Sequence, residues 1–286
     1  RARVPAIMLG GQALSLLRDV FDQPDLLDDL PRIDRRVVAW GEGAPAALPH
    51  DAVVVSETLL HSRLAPHPGS EIVGQPDIVL HAAPQPSSVL RRFGERPAWA
   101  IEVALRSPDG GCWIEAARDG WLFMIPDGAG SAWLLAVGAP PETLLAESRL
   151  IEPRIEPLDG LAGRFDPCPR LAEPTSGEGW LAIGGASIGF DPICGDGTAQ
   201  AVRQGILASA VVLAQLQGGE PAKLREHYDA VLTAAMRRHL RLSMDFYRSG
   251  GDGPWWRAQL KSLIDGHAWC TARLATVGDP AFELRD

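Results

Sequence analysis

Between residues 98 and 138 the chain alternates apolar runs of strand length with Asp-Gly pairs. The runs cover 98–105, 111–117, 120–125 and 131–137, and the punctuation is Asp109-Gly110, Asp119-Gly120 and Asp127-Gly128. Asp-Gly between such runs favours tight hairpins, so this stretch predicts an antiparallel meander. The pattern then changes. Trp180 to Gly184 reads as a short buried strand, Thr198 to Leu216 as a long helix of small residues, and 222–248 and 255–274 as helices. Upstream, 11–18 and 56–64 read as helices. Residues 35–40, 52–55 and 77–81 read as strands, with the turn Gly41-Glu42-Gly43-Ala44-Pro45 between the first two. The expected class is α/β: a nucleotide-binding-like layer, an antiparallel sheet inserted into it, and C-terminal helices.

Composition narrows the function classes. At 286 residues, 46% hydrophobic and 22% charged, the chain is an ordinary globular sequence with one large or two modest domains. No apolar run approaches the roughly 18 residues of a membrane helix, so no spanning segment is expected. Lys+Arg is 27 against Asp+Glu 36, a net charge of −9, which argues against nucleic-acid or anionic-membrane partners. Cys112, Cys168, Cys194 and Cys270 are too far apart for a zinc knuckle or C-x-x-C pair and too sparse for a disulfide scaffold. A reducing, cytoplasmic setting and no metal site are expected. His227 and His239, twelve residues apart, are expected on exposed helix faces rather than as ligands. The sequence opens on Arg1-Ala2-Arg3 with neither initiator Met nor a secretory type of leader. An incomplete chain is the expectation.

Three stretches carry candidate chemistry. Gly41-x-Gly43-x-x-Ala46 matches a dinucleotide fingerprint in letters, but Pro45 and Pro49 follow where a helix must start, so a hairpin turn is expected. Gly185-Ala186-Ser187-Ile188-Gly189 matches a nucleophile elbow after a strand, which makes a serine hydrolase using Ser187 the rival reading. Against it, Phe190-Asp191-Pro192 delays the helix and no later strands remain to present an acid and a base. The third stretch is Asp191-Pro192-Ile193-Cys194-Gly195-Asp196-Gly197-Thr198, joining a strand to a long helix. Gly195 and Gly197 permit close backbone approach, Thr198 is expected to cap the helix, and the helix start offers N–H groups and a positive dipole end to negative charge.

At these residues the sequence resembles the FAD-dependent monooxygenase superfamily of para-hydroxybenzoate hydroxylase, flavin-dependent halogenases and geranylgeranyl reductases. Those proteins carry a strand, then an Asp-Pro-x-x-Gly-x-Gly loop and a small-residue helix. Gly120-Trp121-Leu122-Phe123-Met124-Ile125-Pro126 is similar to the aromatic-rich strand of the halogenase and reductase branch. Residues 76–92 are similar to the strand and Ser-x-x-Arg segment closing the FAD domain. The sequence departs from the family at three points. Gly185 stands where a carboxylate is expected, Ala82-Ala83-Pro84 replaces an Asp-Gly pair, and the N-terminal G-x-G-x-x-G is absent.

The resemblance implies a Rossmann-like FAD-binding layer over 1–32, 56–97 and 160–218. It implies an antiparallel substrate sheet over 33–55 and 98–159, and a helical region over 219–286. It implies FAD held by Asp191, Pro192, Cys194, Gly195, Asp196, Gly197 and Thr198, more weakly than usual because of Gly185. Trp121, Phe123 and Trp133 would face substrate. NAD(P)H or a reduced flavin or quinol donor would be the reductant. Neither Lys223 nor Lys261 lies near these motifs, which disfavours halogenation. The implied activity is hydroxylation of an electron-rich aromatic ring. The loop and the Trp-rich C-terminal helices are similar to the branch that hydroxylates a tryptophan residue of a peptide or protein in quinone cofactor biogenesis. A degenerate flavoprotein fold acting as a binding module is the non-enzymatic alternative. No catalytic side chain is singled out.

Overall fold

The computed structural model describes residues 3–64, 74, 76–83, 88–158 and 163–277. In chain order the elements are β1 (Ile7–Gly10), α1 (Gly11–Phe21), β2 (Arg32–Ala39), β3 (Ala46–Val55), α2 (Glu57–Arg63), β4 (Val79–His81), β5 (Val89–Arg92) and β6 (Ala98–Ala104). There follow β7 (Gly111–Ala117), β8 (Gly120–Pro126), β9 (Ser131–Gly138), α3 (Pro141–Leu145), β10 (Gly163–Phe165), β11 (Arg170–Glu173), β12 (Ser176–Gly177) and β13 (Trp180–Ala182). The last are β14 (Ile188–Gly189), α4 (Gly197–Leu216), α5 (Pro221–Gly250) and α6 (Pro254–Leu274). The chain forms two units. The first is Arg1–Gly69, Arg96–Pro167 and Phe246–Leu260; the second is Ser70–Glu95, Cys168–Asp245 and Lys261–Asp286. The mixed α/β organisation expected from the sequence is present.

The first unit is built on an eight-stranded sheet of order β1-β3-β2-β7-β8-β9-β6-β10. Asp119-Gly120 and Asp127-Gly128 make the expected hairpins, β7 to β8 and β8 to β9. Gly120 is obligatory: a Cβ there would lie 2.0 Å from the Val137 carbonyl oxygen. Asp109-Gly110 does not make one. β6 pairs with β9, and β7 lies parallel to β2, with Cys112 opposite Arg36. The physical reason is at Asp109. Its Oδ1 accepts from Gly111 N at 2.7 Å and pairs with Arg35 of β2, which fixes the start of β7 beside β2. The turn Gly41 to Pro45 joins β2 and β3 as an antiparallel hairpin.

One face of this sheet carries a large apolar core cluster. Leu122, Met124, Leu134 and Ala136 are fully buried against Leu144, Leu145, Ile151 and Ile155. Each large side chain removed from water contributes about 1.5–3 kcal/mol, so this layer adds substantially to the stability of the unit. Glu115 anchors the segment that covers it. This carboxylate is 6% exposed and accepts from the Ser148 hydroxyl and from the amides of Arg149 (2.7 Å), Leu150 (3.1 Å) and Ile151 (3.1 Å).

The second unit holds two three-stranded sheets, β14-β11-β5 and β12-β13-β4. Among the described residues of this unit only β13 and β4 pair in parallel, with Leu181 opposite Leu80. The long helix α5 braces these strands. The Tyr228 hydroxyl donates to the Ala182 carbonyl at 2.6 Å, and the hydroxyls of Thr175 and Ser176 donate to Asp229 Oδ1. Tyr228, Leu232, Met236 and Leu240 on α5 are all buried, a spacing of four that lays one stripe of the helix against the unit. No helix among the described residues is long and apolar enough to cross a membrane.

Candidate functional site

The stretch 191–198 is a shaped loop. The strand before it is β14, which pairs with β11 through Ile188 and Leu171. The sequence places the preceding strand at 180–184; the parallel strand instead ends at Ala182, and a turn at Gly184–Ala186 and β14 intervene. Asp191 is 1% exposed and its carboxylate accepts from Ile193 N at 3.0 Å, opening a tight turn over Pro192–Cys194. Gly195 closes that turn at φ 68°, a left-handed conformation that favours glycine. α4 then starts at Gly197.

Thr198 is not the cap. The residue before the helix is Asp196, because α4 begins one residue earlier than the small-residue pattern implies. Asp196 makes no side-chain cap hydrogen bond. Its Oδ2 accepts from Gln200 Nε2 at 2.9 Å, while Oδ1 is buried without a hydrogen-bond partner. The first-turn amides of α4 are therefore not capped by the Asp196 side chain, and the positive end of the helix faces outward there. A Cβ at Gly184, Gly185, Gly195 or Gly197 would meet nothing within 4 Å, so the backbone here borders open space. Burial pushes the Cys194 thiol up to about 12, and its sulfur lies 3.5 Å from Ser243 Oγ.

His239 departs from its expected exposed position. It is 4% exposed, and its Nε2 accepts from Asp191 N at 2.8 Å. The signal was available in the sequence: 228, 232, 236, 239 and 243 continue one buried stripe of α5. Ser187 is 0% exposed, and its hydroxyl lies within hydrogen-bond reach of Gln204 Oε1 (2.8 Å) and the Gly184 carbonyl (3.0 Å). Its side-chain partner is a carboxamide, not a base.

The three aromatic candidates lie in the first unit. Trp121 and Phe123 alternate on β8, and Trp133 of β9 sits opposite Ile125, so all three share the sheet face away from the Leu122 core. Phe123 and Trp133 are half-buried. Trp121 is 1% exposed, within an aromatic cluster of Trp40 (6.4 Å between centroids), Trp256 and Tyr247, whose hydroxyl lies 3.4 Å from the Trp121 indole nitrogen. Lys223 and Lys261 form exposed pairs with Glu220 and Asp265. No group of three or more His, Cys, Asp or Glu is placed to hold a metal among the described residues. Ala82 and Ala83 follow β4, whereas Pro84 lies outside the described residues.

No family model and no curated protein matches the sequence. Solved structures do match. A peptidyl tryptophan dihydroxylase, QhpG, essential for tryptophylquinone cofactor biogenesis, superposes with a TM-score of 0.71 at 18% identity, over 91% of this chain and 71% of that one. The flavin-dependent halogenase CmlS gives 0.72 at 16% identity, over 96% of this chain. The chain spans 64% of that halogenase's length. PqsL of Pseudomonas aeruginosa, a probable FAD-dependent monooxygenase, gives 0.61 at 12% identity, over 93% and 90%. The chain has the fold of the FAD-dependent monooxygenases and halogenases.

Proposed function

We propose that this chain is a flavin-dependent monooxygenase that hydroxylates an electron-rich aromatic ring, with a tryptophan side chain of a peptide or protein as the substrate class. The observation that carries the reading is the loop into α4, with open space at Gly195 and Gly197 and a helix start that the Asp196 side chain does not cap. These features fit FAD. The two glycines let the backbone approach a flat ring system, and the amides at the start of α4 favour negative charge on it. Asp196 Oδ1 is an acceptor that a ligand hydroxyl would satisfy. Asp191, Pro192, Cys194 and Thr198 shape the loop and the first turn. When bound, FAD supplies the activation of dioxygen and the transfer of an oxygen atom, so no side-chain base is compulsory.

Phe123 and Trp133 are the proposed substrate-facing residues, and Trp121 anchors the same face from within its aromatic cluster. The reductant is proposed to be NAD(P)H or a reduced flavin or quinol donor. Hydroxylation is favoured over halogenation because both lysines of the sequence sit in exposed ion pairs. The hydrolase reading finds no support at Ser187, which is buried against a carboxamide.

The test is equilibrium titration with FAD, followed by flavin fluorescence, then chemical reduction and exposure to O₂ with a tryptophan-containing peptide. The expected result is saturable FAD binding and a peptide mass gain of whole oxygen atoms. FAD binding without any oxygenated aromatic product, across tryptophan, phenol and indole probes, would leave the binding-module reading in its place.

A further inference from the structure

Two side chains of α5, His239 and Ser243, contact the loop from one side. His239 and Ser243 are one helical turn apart on α5, so both project toward the same neighbour. His239 Nε2 accepts from the Asp191 amide at 2.8 Å, at the first residue of the turn. Ser243 Oγ lies 3.5 Å from Cys194 Sγ, at the last residue of that turn, and 3.4 Å from the same His239 nitrogen. The His239 ring also packs edge-on against Phe190, 4.7 Å between centroids. His239 is 4% exposed, Ser243 0% and Asp191 1%, so water does not compete for these contacts.

We propose that His239 and Ser243 are positioning residues for the cofactor loop, holding both ends of Pro192–Cys194 so that Gly195 to Thr198 present their backbone to the ligand. The inference rests on the flavin reading above. Asp191 faces two ways. Its carboxylate is turned forward onto Ile193 N, and its amide is turned back onto the imidazole. The loop's path is therefore set at one residue, and the imidazole decides the orientation of that residue's peptide. An acceptor is required at this point. Neutral histidine offers one at Nε2 when its proton sits on Nδ1, a glutamine offers its carbonyl oxygen, and an aliphatic side chain offers nothing.

The test compares wild type with His239→Leu and His239→Gln. FAD affinity is read by fluorescence titration, and amide hydrogen exchange over 191–195 is read without FAD. His239→Leu is expected to weaken FAD binding about 10- to 100-fold, because a buried amide loses its partner. His239→Gln is expected to return to within a few-fold of wild type. Exchange at the Asp191 amide should be slow in wild type, fast in His239→Leu and slow again in His239→Gln. Unchanged FAD affinity in a folded His239→Leu, or a His239→Gln as weak as the leucine variant, overturns the proposal. If His239→Leu does not fold, wild type and His239→Gln still decide: an Asp191 amide that exchanges like an exposed one in either sinks it. Slow exchange restored by glutamine, in a wild type that does not bind FAD, would keep the grip and remove the flavin reading instead.

Discussion

At the scale of single residues, Gly197 is the sharpest handle on the loop. A Cβ there has open space, and Gly197 is not in a left-handed conformation, so a substitution does not strain the fold. Gly197→Asp is expected to keep the wild-type melting temperature and to weaken FAD binding at least tenfold, since its carboxylate would occupy the ligand's side of the helix start and oppose negative charge there. Equal FAD affinity in the two proteins would take the loop out of the site. Asp229 gives a second test. Burial raises its carboxyl above the ordinary value, outweighing the hydroxyls of Thr175 and Ser176 and the charges of Arg273 and Arg225. The folded chain therefore holds this proton more tightly than the unfolded one. Stability from Asp229 is full below the unfolded value and is lost as pH rises through the folded one. Asp229→Asn keeps the acceptor oxygen and removes the charge. It should melt above wild type at pH 7, with the gap closing towards pH ~4. A variant less stable than wild type at pH 7 would show that the arginines, not burial, set the balance. That a turn lies here was legible because its signals are local: two glycines, a proline and an aspartate mark it. His239 was not, because its role depends on which loop meets the buried stripe of α5.

At the scale of elements, the hairpins at Asp119-Gly120 and Asp127-Gly128 were legible for the same local reason. The break at Asp109-Gly110 was not. Its turn chemistry is equally good, and what decides is Arg35, 74 residues away in sequence, together with the parallel partner β2. β1 went unread because four residues carry too little periodicity. α3 and the segment after it make a further prediction. Glu115 accepts from three consecutive amides and a hydroxyl on the segment covering the Leu122 core. Glu115→Ala should cost about 2 kcal/mol, since the part-buried amides of Arg149 and Leu150 lose their acceptor while Ile151 N keeps the Ser148 hydroxyl, and each amide left unpaired costs about 1–3 kcal/mol at full burial. A chain of this size then loses about 2–4 °C of melting temperature per kcal/mol. Glu115→Gln, which keeps one acceptor oxygen, should cost less than half as much. Equal losses in the two variants would mean that packing, rather than hydrogen bonding, holds the cover in place.

At the scale of the molecule, each unit is assembled from three segments that alternate along the chain. No single cut releases either unit intact, so the expectation is one cooperative unfolding transition. The tryptophans make this measurable. Trp40, Trp99, Trp113, Trp121, Trp133, Trp255 and Trp256 belong to the first unit, and only Trp180 and Trp269 to the second, which holds α4 and most of α5. Tryptophan emission thus follows the first unit and far-UV dichroism follows chiefly the second. The two should share one denaturant midpoint, whereas separated midpoints would mean that the units melt independently. The thiols give the native molecule a different use. Cys112, Cys168 and Cys270 are buried, and burial holds the Cys194 thiol up near 12, so almost none of it is thiolate at neutral pH. The intact protein should therefore resist alkylation. Because Cys194 alone of the four is not fully buried, its slow reaction with a maleimide would time the opening of the loop without any engineered label.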